Sequence, residues 1–214
     1  FAASATLVVP SAAIAQAVEP YAGKTLNIIV GLNSGGTVDN FVRSFASYLS
    51  KHTPGKPHIL VNNKPGAGGL LATNYLMEKA PKDGLTITYQ PWDPLAQALG
   101  NQGLRARYET FEYIGGTSDT RVNYARVDSV PGGIKTPADI MKAQGLAVGA
   151  LNNTDISGLV AKLSLEVLGV KHKFITGYRG GNDIFLAIQR GEVQLHNTSI
   201  GTLRTRGASF LKSG

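Results

Sequence analysis

The sequence contains no cysteine, which excludes disulfide bonds, thiolate metal sites and a cysteine nucleophile. It has no run of 18 or more apolar residues, so an ordinary membrane-spanning helix is excluded as well. Charged residues make up only 16% of the 214 residues, against a usual share of about 25%. An apolar share of 43%, without a three- or seven-residue repeat, excludes disorder, collagen and coiled coil and predicts one or two domains with a real core.

Signatures of catalysis and nucleotide binding are also missing. No segment matches the phosphate-binding P-loop or the G-x-S-x-G nucleophile elbow. Leu71 stands where a dinucleotide fingerprint beginning at Gly66 needs its third glycine. The histidines lack the spacing of a metal motif, so the sequence predicts no metal site and no cofactor. We expect two of them on the surface and two at strand edges, namely His52 and His58, and His172 and His196.

Basic residues outnumber acidic ones, and the formal net charge is +7. Residues 1–17 carry no charge, residues 18–120 a net charge of +1, and residues 121–214 a net charge of +6. Charge alone suggests a nucleic-acid partner, but the basic residues are scattered and aromatic stacking motifs are absent, so we expect no nucleic-acid binding. Two interpretations stay open: steering of an anionic ligand, and an imbalance that acidic residues elsewhere in a longer chain compensate.

The first 17 residues are typical of the end of a secretory signal peptide. They are mostly small or apolar and carry no charge, and Ala15-Gln16-Ala17 has the A-x-A form of a signal-peptidase site. A basic first region is missing, so we interpret residues 1–17 as a partial signal peptide cleaved near Ala17. The alternative is a disordered alanine-rich terminus. Cleavage at this site predicts export to the periplasm.

Apolar periodicity predicts strands and helices in alternation, with a break near the middle of the chain. We expect strands at 26–30, 59–61 and 85–89, then at 146–150, 173–176 and 193–195. We expect helices at 38–50, 70–79 and 93–99, then at 137–142, 157–168 and 183–190. Two extended segments, 111–116 and 122–127, separate the series. The pattern favours an α/β fold with mostly parallel sheets in two lobes, 18–117 and 118–214.

Glycine-rich or polar turns follow four of the predicted strands, at residues 31–39, 66–69, 152–157 and 177–182. In open α/β sheets, such turns lie at the carboxyl ends of the strands, where ligands bind. They leave N–H groups at helix N-termini unpaired, and the helix dipole adds partial positive charge. Four turns at equivalent positions therefore predict a carboxylate or phosphate site, whereas a single one is explained as a tight connection.

Two charged side chains in these turns have alternative interpretations. Asp39 lies in the first turn of a predicted helix, where the dipole stabilises a carboxylate without any ligand. Arg179, in the Tyr-Arg-Gly-Gly turn, is either a bidentate clamp for a ligand carboxylate or a plain exposed arginine.

Three segments together resemble the substrate-binding proteins of tripartite tricarboxylate transporters, also called the Bug family. Residues 21–55 contain the GG-x-x-D turn followed by a helix with Arg43, and residues 62–87 contain N-x-PGAGG and AP-x-DG. Residues 177–194, GYRGGNDIFLAIQRGEVQ, are similar to the family's tyrosine-basic-glycine turn, helix and G-x-V strand. The resemblance extends from Tyr21 to the end of the sequence.

The resemblance implies a two-lobed periplasmic-binding-protein fold, type II-like, that closes over a small carboxylate. It implies a monomer that performs no catalysis and delivers its ligand to integral membrane transporter subunits. In the family, main-chain N–H groups and ordered waters hold the carboxylate, and Asp39 would brace its turn because like charges repel. The implied ligand-binding residues are Gly35, Gly36, Thr37, Asp39, Ala67, Gly68, Asn152, Asn153, Thr154, Ser157, Tyr178, Arg179 and Gly180.

Family members run further and return to the first lobe to complete its sheet. We therefore expect this sequence to be a fragment whose C-terminal part is missing, with an incomplete first lobe that exposes apolar surface. The alternative function is an enzyme, a hydrolase or transferase, that uses the same anion-binding turns on a similar scaffold. That alternative requires a nucleophile–base pair in the cleft, and the sequence offers no convincing one.

Overall fold

Strands and helices alternate along the chain in the computed structural model, which describes residues 19–208. The predicted partial signal peptide and its cleavage site near Ala17 lie outside the described residues. Within residues 19–208, no helix is both long enough and apolar enough to cross a membrane.

The first three strands form a parallel sheet in the order β2-β1-β3. A helix follows each strand, so each parallel pair is joined by a crossover, as the alternating pattern predicts. A short 3₁₀ turn at Ala67–Gly69 precedes the second helix. The elements are β1 (Thr25–Val30), α1 (Thr37–His52), β2 (His58–Asn63), α2 (Leu70–Glu78), β3 (Thr86–Tyr89) and α3 (Pro94–Ala98).

Helix α1 carries two apolar faces, and only one of them is buried. Val42 and Ala46 pack against β1 in a cluster that includes Ile28. On the other face, Phe41 and Phe45 stack with ring centroids 6.1 Å apart, and each stays 41% exposed. Helical spacing predicts Phe41, Val42 and Phe45 alike as apolar positions, and contact with β1 decides which of them belong to the core.

The second sheet has the strand order β4-β7-β5-β6, in which β4 runs antiparallel to β7 and the other pairs are parallel. Helices α4 and α5 cover its two faces, each above a separate apolar cluster. Leu165 lies in the cluster under α4 and Ile184 in the cluster under α5. The elements are β4 (Arg121–Ala125), β5 (Leu146–Gly149), α4 (Ile156–Val167), β6 (His172–Ile175), α5 (Gly181–Gln189), β7 (Leu195–Ser199) and α6 (Ile200–Arg206).

Strand β7 differs most from the sequence prediction, which placed a strand at 193–195. The observed strand begins at the last of those residues and continues through His196, Asn197 and Thr198, all of which are buried. Apolar patterning misses these polar positions because their burial depends on hydrogen bonds from other strands. The expectation that His196 lies at a strand edge is wrong, since β7 is an interior strand of its sheet.

Two further segments differ from their predictions in detail. Residues 111–116, predicted to be extended, belong to no strand of the described chain. Residues 137–142, predicted as a helix, form a 3₁₀ helix that begins with a capping box. In that box the Asp139 carboxylate accepts the Thr136 N–H at 2.7 Å. The predicted lobe boundary at 117/118 stays a prediction, although it falls between the two sheets.

Candidate ligand-binding cleft

The turns that follow β1, β2, β5 and β6 come together between the two sheets. Asn33, after β1, donates its backbone N–H to the Arg179 carbonyl at 3.3 Å and its side-chain amide to the Asp183 carboxylate at 3.1 Å. Asn152, after β5, donates to the Ala67 carbonyl at 3.0 Å. The four turns that the sequence predicts to cooperate therefore lie in one cleft, which has residues of both lobes on its walls.

The first turn is organised around the buried carboxylate of Asp39. This carboxylate accepts the Gly35 N–H at 2.8 Å, the Arg43 guanidinium at 2.9 Å and the Asn63 amide at 2.9 Å. Burial by itself raises the pKa of Asp39, but the hydrogen bonds from Arg43, Gly35 and Asn63 outweigh it and hold the pKa at about 2. Asp39 therefore braces the turn, as expected, and the Gly35 N–H is already bonded within the protein.

Gly36 and Thr37 lie at the N-terminus of α1, where Gly36 is the N-cap residue. No side chain of the described chain caps this terminus. The Gly36 N–H already donates to the Asn33 carbonyl at 3.4 Å, so the donors of the first turn that an anion could use begin at Thr37. Gly35 contributes its carbonyl to the cleft instead, where it accepts the Asn182 amide at 3.3 Å and the Arg206 guanidinium.

We expect Asp39→Asn to destabilise the protein by about 2 kcal/mol at pH 7, because the native pKa lies below the ordinary value of 3.8. A carboxyl with a depressed native pKa stabilises the fold above its unfolded pKa. That contribution is lost as the pH falls through the native value. Urea unfolding at pH 7 and at steps between pH 5 and pH 2 measures both effects.

The matched control for this substitution is Asp128→Asn, which removes a carboxylate paired with Arg126 on the surface. Exposed ion pairs are worth about 0–1 kcal/mol, so the control should change stability much less. Equal losses in the two variants would contradict the bracing role of Asp39.

The second turn depends on residues with left-handed backbone conformations. Ala67, Gly68 and Gly69 have φ values of 49°, 67° and 103°. Gly68 is buried against the opposite lobe, and a Cβ at this position would overlap the Asn152 amide nitrogen and lie 3.3 Å from the Leu151 Cβ. Glycine is thus needed here both for the backbone conformation and for the close approach of the lobes.

The third turn is held by Asn152 and by Asp155, the N-cap residue of α4. The Asp155 carboxylate accepts the N–H groups of Ser157 and Gly158 at 2.9 and 3.1 Å and that of Leu151 at 3.0 Å. The Asn152 side-chain oxygen accepts the Asp155 N–H at 2.6 Å. The Ser157 N–H that the sequence offers for a ligand is therefore bonded within the turn. Asn153, by contrast, is exposed and can still reach a ligand.

Asp93 joins the two lobes, a role that sequence reasoning misses. It is the N-cap residue of α3 and accepts the Ala96 N–H at 3.1 Å. Its other carboxylate oxygen accepts the Thr154 hydroxyl at 2.7 Å and the Asn152 amide at 3.2 Å, both from the second lobe. The sequence predicts only a helix at 93–99, because a contact across 61 residues leaves no local pattern.

The fourth turn presents its backbone rather than a charged side chain to the first lobe. The Arg179 carbonyl accepts from Asn33, while the arginine itself is exposed. Both interpretations of Arg179, as a clamp for a ligand carboxylate and as a plain exposed arginine, stay predictions. Tyr178 packs against the apolar cluster around Ile184, and burial raises the pKa of its hydroxyl. Gly180 is the buried N-cap residue of α5.

Comparisons with known proteins agree with this architecture, although no family model matches the chain. The chain superposes on the periplasmic binding protein BugD with a TM-score of 0.72 and 25% identity, over 88% of this chain and 63% of that one. The predicted resemblance to Bug-type solute-binding proteins is confirmed. A curated protein described as "UPF0065 protein in gbd 5'region", from Cupriavidus necator, is 33% identical over 94 residues, 41% of this chain and 28% of that protein.

A third comparison supports the Bug-type fold alone. MatC from Rhodopseudomonas palustris, solved with bound malate, superposes with a TM-score of 0.65 and 21% identity, over 84% of this chain and 61% of that one. The chain therefore spans less than two thirds of the length of each of these three relatives.

A polar cluster beside the third turn centres on Arg121, which the sequence does not single out. Its guanidinium donates from Nε to the Asn197 side chain at 2.6 Å and from Nη2 to the Ser157 hydroxyl at 2.6 Å. Asn197 in turn donates to Asn123 at 2.9 Å. The cluster connects the first residue of β4, the interior of β7 and the start of α4. Only pairing across the sheet brings these residues together.

His196, next to this cluster, is a buried neutral histidine. Its Nδ1 lies 2.8 Å from the Gly149 carbonyl, which assigns the ring proton to Nδ1. Burial and, to a smaller extent, the nearby charge of Arg121 lower the pKa of His196 to about 4, although the hydrogen bond to the Gly149 carbonyl acts in the opposite direction. Within residues 19–208, no group of three or more histidine, aspartate and glutamate side chains could hold a metal ion.

Proposed function

We propose that this chain is the ligand-binding part of a periplasmic solute-binding protein that captures a small carboxylate. The observation that carries the proposal is the meeting of four turns from two sheets, at the carboxyl ends of parallel strands, through hydrogen bonds between the lobes. Open α/β sheets bind their ligands at this location. The resemblance to the Bug-type binding proteins supports the same class.

Recognition of the carboxylate would rest mainly on backbone donors. The N-terminus of α1, which no described side chain caps, supplies N–H groups from Thr37 onward and the positive end of a 16-residue helix. Ala67 and Gly68 would contribute from the second turn, Asn153 from the third, and Gly180 from the fourth. Thr154 already donates its N–H to the Asn152 side chain at 2.7 Å and its hydroxyl to Asp93. Asp39 and Asn152 would shape the site without contacting the anion.

Capture would proceed by a shift between open and closed arrangements of the lobes. A ligand that contacts both lobes binds only the closed arrangement fully and therefore stabilises it. The hydrogen bonds that Asp93 accepts from Thr154 and Asn152 favour the closed arrangement even without ligand. The closed complex would then deliver its solute, as a monomer in the periplasm, to the membrane subunits of a tripartite tricarboxylate-type transporter.

The enzyme alternative gains no specific support from the described side chains. His196 bonds to the Gly149 carbonyl rather than to a hydroxyl that it could activate. The Ser157 hydroxyl accepts a hydrogen bond from the Arg121 guanidinium. Because this guanidinium is already protonated at neutral pH, it cannot act as a base that removes the hydroxyl proton. A nucleophile–base pair would need a different arrangement.

A thermal-shift screen tests the proposal with mono-, di- and tricarboxylates, including malate, which MatC binds in its structure. Amino acids, neutral sugars and nucleotides serve as controls. We expect at least one carboxylate to raise the melting temperature, because a ligand at about 100 times its Kd stabilises a protein by about 2.7 kcal/mol. Stabilisation by a sugar or a nucleotide, and by no carboxylate, would overturn the assignment.

A further inference from the structure

Arg121 carries a positive charge that no carboxylate of the described chain neutralises at close range. Its hydrogen-bond acceptors are uncharged: the Asn197 side chain, the Ser157 hydroxyl and the Asn197 carbonyl at 3.3 Å. Asp155 and Asp119 act on it only as more distant charges. Elsewhere in the described chain, Arg43 and Arg126 each contact a carboxylate directly, at 2.9 and 2.5 Å.

One end of the Arg121 guanidinium is also without a partner. Nε and Nη2 make all of its hydrogen bonds, and no residue from 19 to 208 accepts from Nη1. The side chain is half-buried, so the charge is only partly hydrated, and burial lowers the pKa of the guanidinium. An arginine nevertheless stays protonated at neutral pH. A partly desolvated cation of this kind gains most from an anionic partner.

The position of Arg121 places this charge at the cleft. It pairs across the sheet with Ser199, the last residue of β7, and reaches Ser157 in the first turn of α4. Both lie at the carboxyl end of the second sheet, next to the turn whose Asn152 and Thr154 contact the first lobe. Arg126 follows the C-terminal end of β4, so it lies at the end of the sheet that is opposite to Arg121.

We propose that Nη1 of Arg121 binds a carboxylate oxygen of the solute directly, so that this residue makes a negative charge a requirement for binding. The inference rests on the proposed function and adds to it a side chain that selects for charge. Backbone N–H groups donate to a carboxylate or to a neutral carbonyl oxygen alike, whereas a guanidinium favours the anion. The Ser157 and Asn197 contacts hold the guanidinium in place while Nη1 remains available.

The experiment compares acetate with acetamide, its neutral counterpart of nearly the same shape, and then malate with malamide. The protein is labelled with ¹⁵N-arginine, and the side-chain resonances of Arg121 are followed during titration, with Arg121→Gln used to assign them. We expect acetate or malate to shift these resonances saturably and the amides to leave them in place. The carboxylate that stabilises the protein most in the thermal screen is titrated in the same way, and its binding without a shift of the Arg121 resonances would overturn the inference.

Binding of the carboxylate that stabilises the wild type most in the thermal screen is then measured in three variants. Arg121→Gln should weaken it roughly 10- to 100-fold, as expected for loss of a hydrogen bond to a charged group. Arg121→Lys should lose less affinity for the carboxylate, because lysine keeps the positive charge. Arg126→Gln removes the same charge at the opposite edge of the sheet and should leave affinity within about twofold.

The outcomes separate the two proposals. If no carboxylate binds the wild type, the proposed function fails. If a carboxylate binds equally well to the wild type and to Arg121→Gln, only the role of Arg121 is wrong. A purely structural role would weaken acid and amide binding equally, whereas the proposed role removes the preference for the acid. Should Arg121→Gln fail to fold, Arg121→Lys and the wild-type acid–amide comparison still decide the question.

Discussion

Lowering the pH from 7 to 4 should destabilise the protein by about 3 kcal/mol through His196 alone. The pKa of this histidine is about 4 in the folded state, against an ordinary value of 6.5. A depressed histidine pKa means that the fold favours the neutral ring. The contribution is therefore complete above pH 6.5 and is lost as the pH falls towards 4. Linkage gives a loss of about 2 kcal/mol at pH 5 and about 3 kcal/mol at pH 4.

The physical cause is the closed environment of the ring. His196 packs edge-on against Tyr124 with ring centroids 5.8 Å apart, and one ring nitrogen is already used by the Gly149 carbonyl. Protonation would place a second charge beside Arg121 in a site that water does not reach. The pH range over which His196 titrates lies above the range over which Asp39 titrates, so one pH series separates the two effects on stability.

Urea unfolding of the wild type and of His196→Gln at pH 7, 5.5, 5 and 4 measures the effect. The variant keeps a hydrogen-bond donor for the Gly149 carbonyl but cannot titrate, so its stability should change much less between pH 6.5 and 4. His58→Gln is the matched control, because His58 is exposed at the start of β2. Parallel pH profiles for wild type and His196→Gln would show that the histidine is not the source of the acid sensitivity.

Replacing Gly68 by alanine should hold the lobes apart and weaken solute binding roughly 10- to 100-fold. The new Cβ would overlap the Asn152 amide of the opposite lobe, which can move aside only by losing its hydrogen bonds to the Ala67 carbonyl and Asp93. Overpacking of this kind costs roughly 1–3 kcal/mol. The clash exists only when the lobes are closed, so it shifts the population towards the open arrangement. The left-handed backbone at Gly68 adds roughly 1–2 kcal/mol of strain to the folded state.

Gly84→Ala separates these two effects. Gly84 has a φ of 76°, and a Cβ there would meet no atom within 4 Å, so its replacement introduces strain without a clash. We expect both variants to lose similar stability in urea, and only Gly68→Ala to show a larger radius of gyration by small-angle X-ray scattering and a weaker affinity for the solute. Identical scattering and affinity in the two variants would contradict closure at this turn.

Much of the fold is predictable because it depends on local pattern. Apolar runs such as Leu26–Val30 alternate with helical periodicity, and this alternation permits little other than parallel strands joined by crossovers. The same reasoning places the ligand-binding turns, since the carboxyl ends of parallel strands lie at one edge of a sheet. The turns at Gly35 and Gly68 are in the predicted cleft for this reason.

The details that determine recognition are less predictable. The Gly35 and Ser157 N–H groups donate to the carboxylates of Asp39 and Asp155 and are therefore unavailable to a ligand, which local spacing does not reveal. Strand β7 is longer than its apolar pattern because Asn197 finds partners on β4. Each of these cases depends on which polar group meets another, and the cost of burying an unpaired group decides it.

The sequence by itself thus determined the α/β class, the parallel arrangement of most strands and the four turns that form the cleft. Tertiary structure decided which donors in those turns remain available and which residues join the lobes. Asp93 and Arg121 are the clearest examples, since each acquires its role from partners 36 to 76 residues away. The periodicity of apolar residues indicates which side of a helix or strand is buried. Charge neutralisation and hydrogen-bond pairing arise only when distant segments meet.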